Sequence, residues 1–392
     1  MPDSNALRVL HITSWYPSKK NPVEGVFVLE HVKSTALYND VAVLYFEGSK
    51  TGCKSLYSLE DSDEKGIRTF RLRHKKVTPL MGYFLSVWSA FAVFRKLMRE
   101  GWRPDVIHAH VYTAGLPAVL LGKFYGVPVI VTEHFSGFPR GLIKGVKRLI
   151  AKFVFERAFL VCPVSYNLKS HIEKLGIEAD FQVVPNAVDT ALFYPDRTRK
   201  ERGPAEPKRL LTVAMLNPIK GIPYLLKALA MLRGKRSDFV LDIVGDGPER
   251  PEYEEMVRRL ELQEIVKFHG VKTKQEIADF MREADLFVLP SEWENLPCVL
   301  IEAMASGLPI VATQVGGVPE MVDERKGVLV PPKNTRRLFE AINFMLDNIP
   351  TFSSRDIAND ALTNFSQPAI GKTFDEIYKL AIAYSKLKAQ HE

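Results

Sequence analysis

The run RLLTVAML, residues 209–216, is the clearest indication of the fold, because it restarts a series of short apolar runs separated by helical stretches. It follows the polar, proline-bearing segment 194–208, which indicates a domain boundary. Such alternation is typical of a parallel sheet wrapped by helices. The other predicted strands are LRVLHIT (7–13), VAVLYF (41–46), VIHAH (106–110), PVIVTEH (128–134), FLVCPVS (159–165), FQVVPN (181–186), FVLDIVG (239–245), VKFHG (266–270), LFVLPS (286–291), PIVAT (309–313) and GVLVPP (327–332).

The length of 392 residues exceeds what one hydrophobic core usually supports, so two α/β domains are expected. The pattern places an N-terminal domain at 1–190 and a C-terminal domain at 191–372. Residues 373–392 are predicted to form a helix that packs back on the N-terminal domain. Ligands of open α/β sheets bind at the carboxyl ends of the strands, so the functional site is expected in a cleft there.

The composition excludes several classes of protein. With 46% hydrophobic and 25% charged residues, the chain is expected to be globular. A net charge of +7 comes without an arginine-rich arm or an RNA-binding signature, so no nucleic-acid partner is expected. Cys53, Cys162 and Cys298 have no paired spacing and the N-terminus has no secretory pattern, which favours free thiols in the cytoplasm.

The uncharged run 77–94 approaches the length of a membrane span, about 18 residues. Its interruptions, Pro79, Gly82, Ser86 and Ser89, favour a packed amphipathic helix instead.

The segment LPSEWENLPCVLIEAMASG, residues 289–307, holds the most informative motif. A predicted strand ends in a loop with Glu292 and Glu294, and LPCVLIEAMA is predicted to be a helix that carries Glu302. The helix dipole would stabilise Glu294, and Glu302 follows about two turns later on roughly the same side. Two such carboxylates can accept hydrogen bonds from sugar hydroxyls, although in isolation they are also typical of a cap and a solvated face.

In this motif the chain resembles the retaining glycosyltransferases of family 4, which have the GT-B fold: two Rossmann-like domains whose parallel sheets face a central cleft. The resemblance rests on ENLPCVLIE (294–302), with glutamates separated by seven residues, and on the AMASG that follows. It implies that Glu294 contacts the transferred sugar and Glu302 the ribose. It also assigns the C-terminal domain to the nucleotide-sugar donor and the N-terminal domain to the acceptor, with Val271, Asn295 and Leu296 on the donor side.

Two further matches concern the donor diphosphate. In VAMLNPIKG (213–221), Lys220 occupies the position of the family's lysine, whereas Met215 replaces the usual arginine. The second cation could come from Lys272 or Lys274. The resemblance also places Gly316 and Gly317 at the phosphates, in a loop whose backbone N–H groups can approach an anion.

The N-terminal domain contributes histidines and a glycine. His108 and His110 lie on one face of a predicted strand, His108 as a core residue. The resemblance makes His110 the active-site histidine that contacts the donor sugar, places His134 on the acceptor side, and puts Gly25 in a loop near the phosphates. No metal is expected, because no nearby acid or third ligand completes a recognisable set with the two histidines, and the DSD at 61–63 is predicted to lie in a solvated loop.

The resemblance implies a retaining transfer to a hydroxyl acceptor without a cofactor, with His110, Glu294 and Lys220 as the catalytic residues. Residues 141–159 read as a basic amphipathic helix, with Lys144, Lys147, Arg148 and Lys152 along a polar face. If this helix lies on an anionic membrane, a lipid-linked glycan in surface-polysaccharide synthesis is the natural acceptor, and the protein would be peripheral at the inner face of the plasma membrane. A solvated face on a core-packed helix is the alternative.

Three other functions stay open. An epimerase of the same fold should lack the pair Glu294 and Glu302. An oxidoreductase would need a glycine-rich dinucleotide fingerprint, which neither domain begins with. A non-catalytic nucleotide-sugar-binding protein is compatible with Met215 and with Glu24, which stands where the family often has a glycine.

Overall fold

A computed structural model describes residues 6–18, 21–48, 57–196, 203 and 206–391, and Cys53 lies outside them. The chain divides into two compact units. The N-terminal unit comprises Met1–Ala187 and Gln367–Glu392, and the C-terminal unit comprises Val188–Ser366. The last helix therefore belongs to the N-terminal unit.

The N-terminal unit is a seven-stranded sheet of order β3-β4-β2-β1-β5-β6-β7, parallel except for β3. Every residue of β5 and β6 is buried, as expected for a parallel sheet covered on both faces. The elements are β1 Arg8–Thr13, α1 Val26–Ala36, β2 Asp40–Gly48, β3 Tyr57–Glu64, β4 Ile67–His74, α2 Pro79–Arg99, β5 Val106–His110, α3 Tyr112–Tyr125, β6 Val129–Glu133, α4 Val146–Phe155, β7 Leu160–Pro163, α5 Tyr166–Glu173 and the final helix, numbered α13, Gln367–His391.

The C-terminal unit is a parallel six-stranded sheet of order β10-β9-β8-β11-β12-β13. A short 3-10 helix, Pro218–Lys220, follows the first of its strands, and another spans Ile349–Thr351. The elements are β8 Lys208–Val213, α6 Ile222–Arg233, β9 Phe239–Val244, α7 Arg250–Arg259, β10 Val266–Phe268, α8 Lys274–Glu283, β11 Leu286–Leu289, α9 Cys298–Ala305, β12 Ile310–Thr313, α10 Val318–Met321, β13 Gly327–Val330, α11 Thr335–Asn348 and α12 Ser354–Phe365. Two successive Rossmann-like units confirm the predicted fold class.

Helix α13 closes the N-terminal unit by packing on α1. Gly371 permits the close approach, since a Cβ atom there would lie 2.1 Å from the carbonyl oxygen of Ser34. Phe374 and Tyr378 are fully buried. The helix is thus part of the core.

Three local predictions were wrong. Residues 60–64 are not in a solvated loop but in the edge strand β3, where Asp61 accepts hydrogen bonds from Arg68 and Lys96. The predicted strand 181–186 forms only an isolated bridge between Phe181 and Val161. The helix predicted over 141–159 is shorter: α4 begins at Val146, because Gly145 has φ 53°.

The uncharged run 77–94 lies largely in α2, which begins after Thr78 caps the N–H of Met81. Leu85, Val93 and Phe94 on one face are buried. Among the described helices, none is long and apolar enough to cross a membrane. The packed helix is the alternative that the structure shows.

Candidate functional site

The turn after β8 carries Lys220 in the C-terminal unit. The 3-10 helix ends at Lys220, and Gly221 follows with φ 67°. A Cβ atom on Gly221 would lie 2.0 Å from the carbonyl oxygen of Pro290, so only glycine lets this turn approach the end of β11. The turn and the loop after β11 are also tied by the Glu292 N–H, which donates to the carbonyl of Ile219 at 2.7 Å. The side chains of the turn and those of the loop after β11 therefore lie next to each other at the carboxyl end of the sheet.

Glu294 lies in that loop and pairs with Lys220. The Lys220 ammonium is 2.7 Å from Oε1 of Glu294, and the hydroxyl of Ser291 donates to the same oxygen at 2.7 Å. The Glu294 side chain is 8% exposed and that of Lys220 20% exposed, so the pair is largely withdrawn from water. Helix α9 starts only at Cys298, so the lysine and the serine fix this carboxylate, and the helix dipole is not its main support.

The glycine loop packs against the same residues. Gly316 has φ 54°, and a Cβ atom there would lie 2.1 Å from the carbonyl oxygen of Glu294. The N–H of Gly317 donates to the carbonyl of Asn295 at 2.7 Å. Gly317 therefore uses its donor to hold the loop of Glu294, a role that the sequence did not predict.

Glu302 lies on α9 and forms an ion pair at 3.3 Å with Lys274, the residue that begins α8. Lys272 pairs with Glu276 at 3.0 Å. Both lysines considered as the second phosphate cation thus have carboxylate partners. Met215, at the arginine position, is 56% exposed.

Two other predicted donor-side residues differ in exposure. Val271 is 67% exposed, whereas Leu296 is buried. In the structure, Lys220, Glu294, Asn295, Gly316 and Gly317 lie together, and Glu302 is held through Lys274.

The N-terminal unit contains a histidine cluster, defined as His11, His31, His108, His110 and His134. All five are buried. The rings of His108 and His110 stack with centroids 4.4 Å apart, as their shared face of β5 requires. His108 bonds the hydroxyl of Tyr378 at 2.6 Å and that of Thr132 at 2.7 Å, which satisfies both nitrogens and is consistent with a core residue.

His110 is the centre of a chain of hydrogen bonds. Its Nε2 lies 3.1 Å from Nδ1 of His11, and its Nδ1 lies 3.4 Å from Nε2 of His134. Nε2 of His11 contacts the hydroxyl of Thr35 at 2.9 Å, and that hydroxyl donates to the carbonyl of Val32. Thr35 therefore accepts from His11, whose Nδ1 in turn accepts from Nε2–H of His110. This assignment leaves a lone pair on Nδ1 of His110, facing His134.

The cluster is held neutral by burial. Desolvation is the main cause that lowers the pKa of His11 to about 3 and that of His31 to about 4. It also lowers the pKa of His108, His110 and His134 well below the ordinary value. At neutral pH these rings are uncharged hydrogen-bonding groups.

The backbone next to His110 is strained. Val111 has φ 72° and ψ 140°, which is a costly conformation for a β-branched residue. Beside it, the buried Glu133 accepts the N–H groups of Tyr112, His134 and Phe135. Burial outweighs these bonds and raises the pKa of Glu133 to about 7. Strain and a buried acid at one strand end are features of functional sites.

Gly25 lies in the same unit, before α1, with φ 66°, and a Cβ atom there would lie 2.4 Å from the backbone of Trp15. Sequence reasoning missed His11 and His31, which stand far from the HAH motif along the chain. The signal that the sequence offered for these two residues is the number of histidines: the chain has nine, and five of them lie in this cluster.

Comparisons with known proteins agree with this architecture. Residues 195–360 match the family model "Glycosyl transferases group 1", and residues 40–192 match "Glycosyltransferase Family 4". A glycogen synthase of Mycobacterium tuberculosis is 28% identical over 87% of this chain and 86% of the relative. The putative teichuronic acid biosynthesis glycosyltransferase TuaC of Bacillus subtilis is 28% identical over 86% of this chain and 88% of the relative.

Solved structures share the fold. Sucrose-phosphate synthase from Thermosynechococcus elongatus superposes with a TM-score of 0.76 at 20% identity, over 96% of this chain and 100% of that one. HepE of Anabaena in complex with UDP and glucose gives 0.73 at 20% identity, over 95% and 99%. From the two family models, which follow one another along both units, and from these relatives, the chain belongs to glycosyltransferase family 4 and is a glycosyltransferase of the GT-B fold.

Proposed function

We propose that the protein transfers a sugar from a nucleoside-diphosphate sugar to the hydroxyl of a glycan, with retention, in the synthesis of a surface polysaccharide. The carrying observation is the pair of Lys220 and Glu294 at 2.7 Å, with the carboxylate also held by Ser291. A cation and an oriented carboxylate at one sheet edge fit a donor with a diphosphate and sugar hydroxyls. HepE, of the same fold, has been solved with UDP-glucose, and TuaC is named for teichuronic acid synthesis.

In the proposed mechanism, Lys220 shifts toward the leaving diphosphate as negative charge develops there, and Glu294 orients the hydroxyls of the transferred sugar. Glu302, held by Lys274, binds the ribose. Electrostatic groups of this kind lower a barrier by about 3–4 kcal/mol each. The acceptor attacks on the face that the diphosphate leaves, the leaving oxygens take its proton, and no metal takes part. His110 contacts the donor sugar and His134 lies on the acceptor side.

The donor is tested by thermal shift with a panel of UDP-, GDP- and ADP-sugars. One donor should raise the melting temperature of the native protein and of Glu340→Ala, a control on α11, because binding stabilises the folded state. Glu302→Ala should lose that stabilisation. A donor that stabilises all three proteins equally would contradict the assignment of Glu302.

Retention has its own measurement. The anomeric configuration of the product, followed by NMR during the first turnovers, should equal that of the donor. An inverted product would contradict same-face attack and leave the donor site untouched.

We also propose that the acceptor is lipid-linked and is met at an anionic membrane surface. On α2, Leu80 is 81% and Phe84 64% exposed; on α4, Val146 is 70% and Leu149 67% exposed. Both helices pack on α3 in the N-terminal unit. Exposed apolar side chains beside cations suit the interface of an anionic bilayer.

The basic face of α4 is smaller than its sequence indicates. Arg148 donates to the carbonyl of Leu175, and Lys152 to that of Gly176, so both serve the end of α5. Lys144 and Lys147 are both exposed, and we assign the lipid contact to these two cations.

Flotation with vesicles of neutral and anionic lipid checks the surface. The native protein should float with anionic vesicles, and both Leu80→Gln with Phe84→Gln and Lys144→Glu with Lys147→Glu should reduce flotation. Leu362→Gln, at an apolar residue on α12 that is 50% exposed, is the control. Equal flotation of all variants would remove the membrane surface and redirect the search to soluble glycans.

A further inference from the structure

Three members of the histidine cluster lie close enough to hold one ion. One ring nitrogen from each of His31, His110 and His134 falls within 4.8 Å of the other two. Two nitrogens bound to one tetrahedral zinc ion at about 2.0–2.1 Å lie about 3.3 Å apart. Nδ1 of His110 and Nε2 of His134 are 3.4 Å apart. That spacing needs almost no adjustment.

In two of these rings, those of His31 and His110, the opposite nitrogen is already oriented by the protein. Nε2 of His31 lies 2.9 Å from the carbonyl of Pro185, which only accepts, so this nitrogen carries the proton. Nδ1 of His31 is buried and has no hydrogen-bond partner among the described residues. Nε2–H of His110 donates to His11. Metal-binding histidines typically have their other nitrogen held in this way.

A second trio, His11, His108 and His110, meets the same distance limit, but both ring nitrogens of His11 and of His108 are already used in hydrogen bonds. His108 uses both nitrogens on Tyr378 and Thr132, and His11 uses both on Thr35 and His110. A metal there would break several buried hydrogen bonds. The first trio requires that His134 carry its proton on Nδ1, so that its hydrogen bond to His110 is exchanged for a coordinate bond.

We propose that His31, His110 and His134 form a three-histidine site for a divalent transition-metal ion of the zinc class. Imidazole ligands suit zinc, cobalt and nickel, and a water molecule would complete the tetrahedron. The ion occupies the lone pair of His110, so the loaded protein cannot use that nitrogen for a substrate. All three ligands belong to the N-terminal unit.

The test titrates cobalt(II) into protein stripped with a chelator, because tetrahedral cobalt has a distinct visible spectrum. The native protein should bind one equivalent with that spectrum. His31→Gln should weaken binding at least tenfold, since a metal-ligand interaction is lost. His171→Gln is the matched control: this histidine of the same unit also bonds a backbone carbonyl, that of Asn167.

A native protein without the tetrahedral spectrum would overturn the proposal, as would equal affinity of the native and His31→Gln proteins. Circular dichroism establishes that the variant is folded. If it is not, X-ray absorption of zinc-loaded native protein decides: three imidazole ligands support the site, and fewer overturn it. These readouts do not depend on transfer activity.

Discussion

In the C-terminal unit, Lys220 and Glu294 meet as opposite charges 2.7 Å apart, whereas in the N-terminal unit His11 and His110 meet as neutral rings 3.1 Å apart. The first pair keeps some exposure, and the second is fully buried. Burying a charged group costs free energy. The ion pair offsets this cost by mutual attraction, whereas the buried histidines avoid it by being uncharged. The pair of Lys220 and Glu294 can therefore exchange partners with an anionic ligand, whereas the histidine cluster acts through its lone pairs and protons.

The largest effect should follow from removing the cation. Lys220→Ala leaves Glu294 without its ammonium partner and, in the proposed mechanism, leaves the departing diphosphate without its main positive charge. We expect kcat/KM for donor and acceptor to fall by about 10²–10³-fold. Lys272→Ala, which removes a lysine paired with Glu276, should stay within about threefold. Similar losses in both variants would mean that Lys220 has no special role.

The next effect concerns the neutral rings in metal-free protein. Because the folded pKa of His31 is lowered to about 4, the unfolded chain binds more protons below about pH 6.5. The stability contributed by the neutral ring is complete above that pH and is lost as the pH falls toward 4. At about pH 5 the loss from His31 alone is about 2 kcal/mol. Urea unfolding should therefore show a smaller acid loss in His31→Gln than in the native protein.

Glu133 acts in the opposite direction. The pKa of Glu133 is raised to about 7 in the folded state, so between about pH 4.5 and pH 7 the folded protein keeps a proton that the unfolded chain has lost. The stability contributed by Glu133 is therefore complete below about pH 4.5 and is lost as the pH rises to 7. One carboxyl cannot offset five histidines, so the net stability should still drop in acid. His171→Gln should keep the native pH dependence. A native protein equally stable at pH 7 and pH 5 would contradict the neutral cluster.

A smaller effect separates packing from strain next to His110. Val111 and Val131 are both buried, but only Val111 has a positive φ, 72°. Glycine relieves that strain, so Val111→Gly should cost about 1–3 kcal/mol less unfolding free energy than Val131→Gly. Chemical denaturation of the two variants measures the difference. Equal costs would show that no strain is stored there.

The sequence predicted most of the parallel strands because they are continuous apolar runs, but it missed β4, in which apolar residues alternate with arginines. It missed β3 because its polar residues, such as Asp61, are satisfied by cross-strand arginine rather than by water. It singled out Glu294 as a candidate site residue because Glu294 lies in a motif formed by consecutive residues. It missed His11 and His31, since they join His110 only through strand pairing and helix packing between distant segments.

The same distinction applies to the metal expectation. No third ligand lies near His108 and His110 in the sequence, but the fold brings His31 from α1 and His134 from the end of β6 to His110. Motif spacing reports on ligands within one segment. Motif spacing gives no information on ligands that tertiary packing brings together from distant segments.

The smallest effect tests whether the charged site lacks a cation. Met215 stands where the family has an arginine, and its 56% exposure leaves room for a longer polar side chain. If the diphosphate lies near this turn, Met215→Arg should tighten binding of a nucleoside diphosphate about fivefold, equivalent to about 1 kcal/mol, by adding a charge-assisted bond. Met231→Arg, at a methionine on α6 that is 38% exposed, controls for net charge. Calorimetry on both variants decides: equal tightening would reflect charge alone, and tightening only in Met215→Arg would place the phosphates at the turn of Lys220.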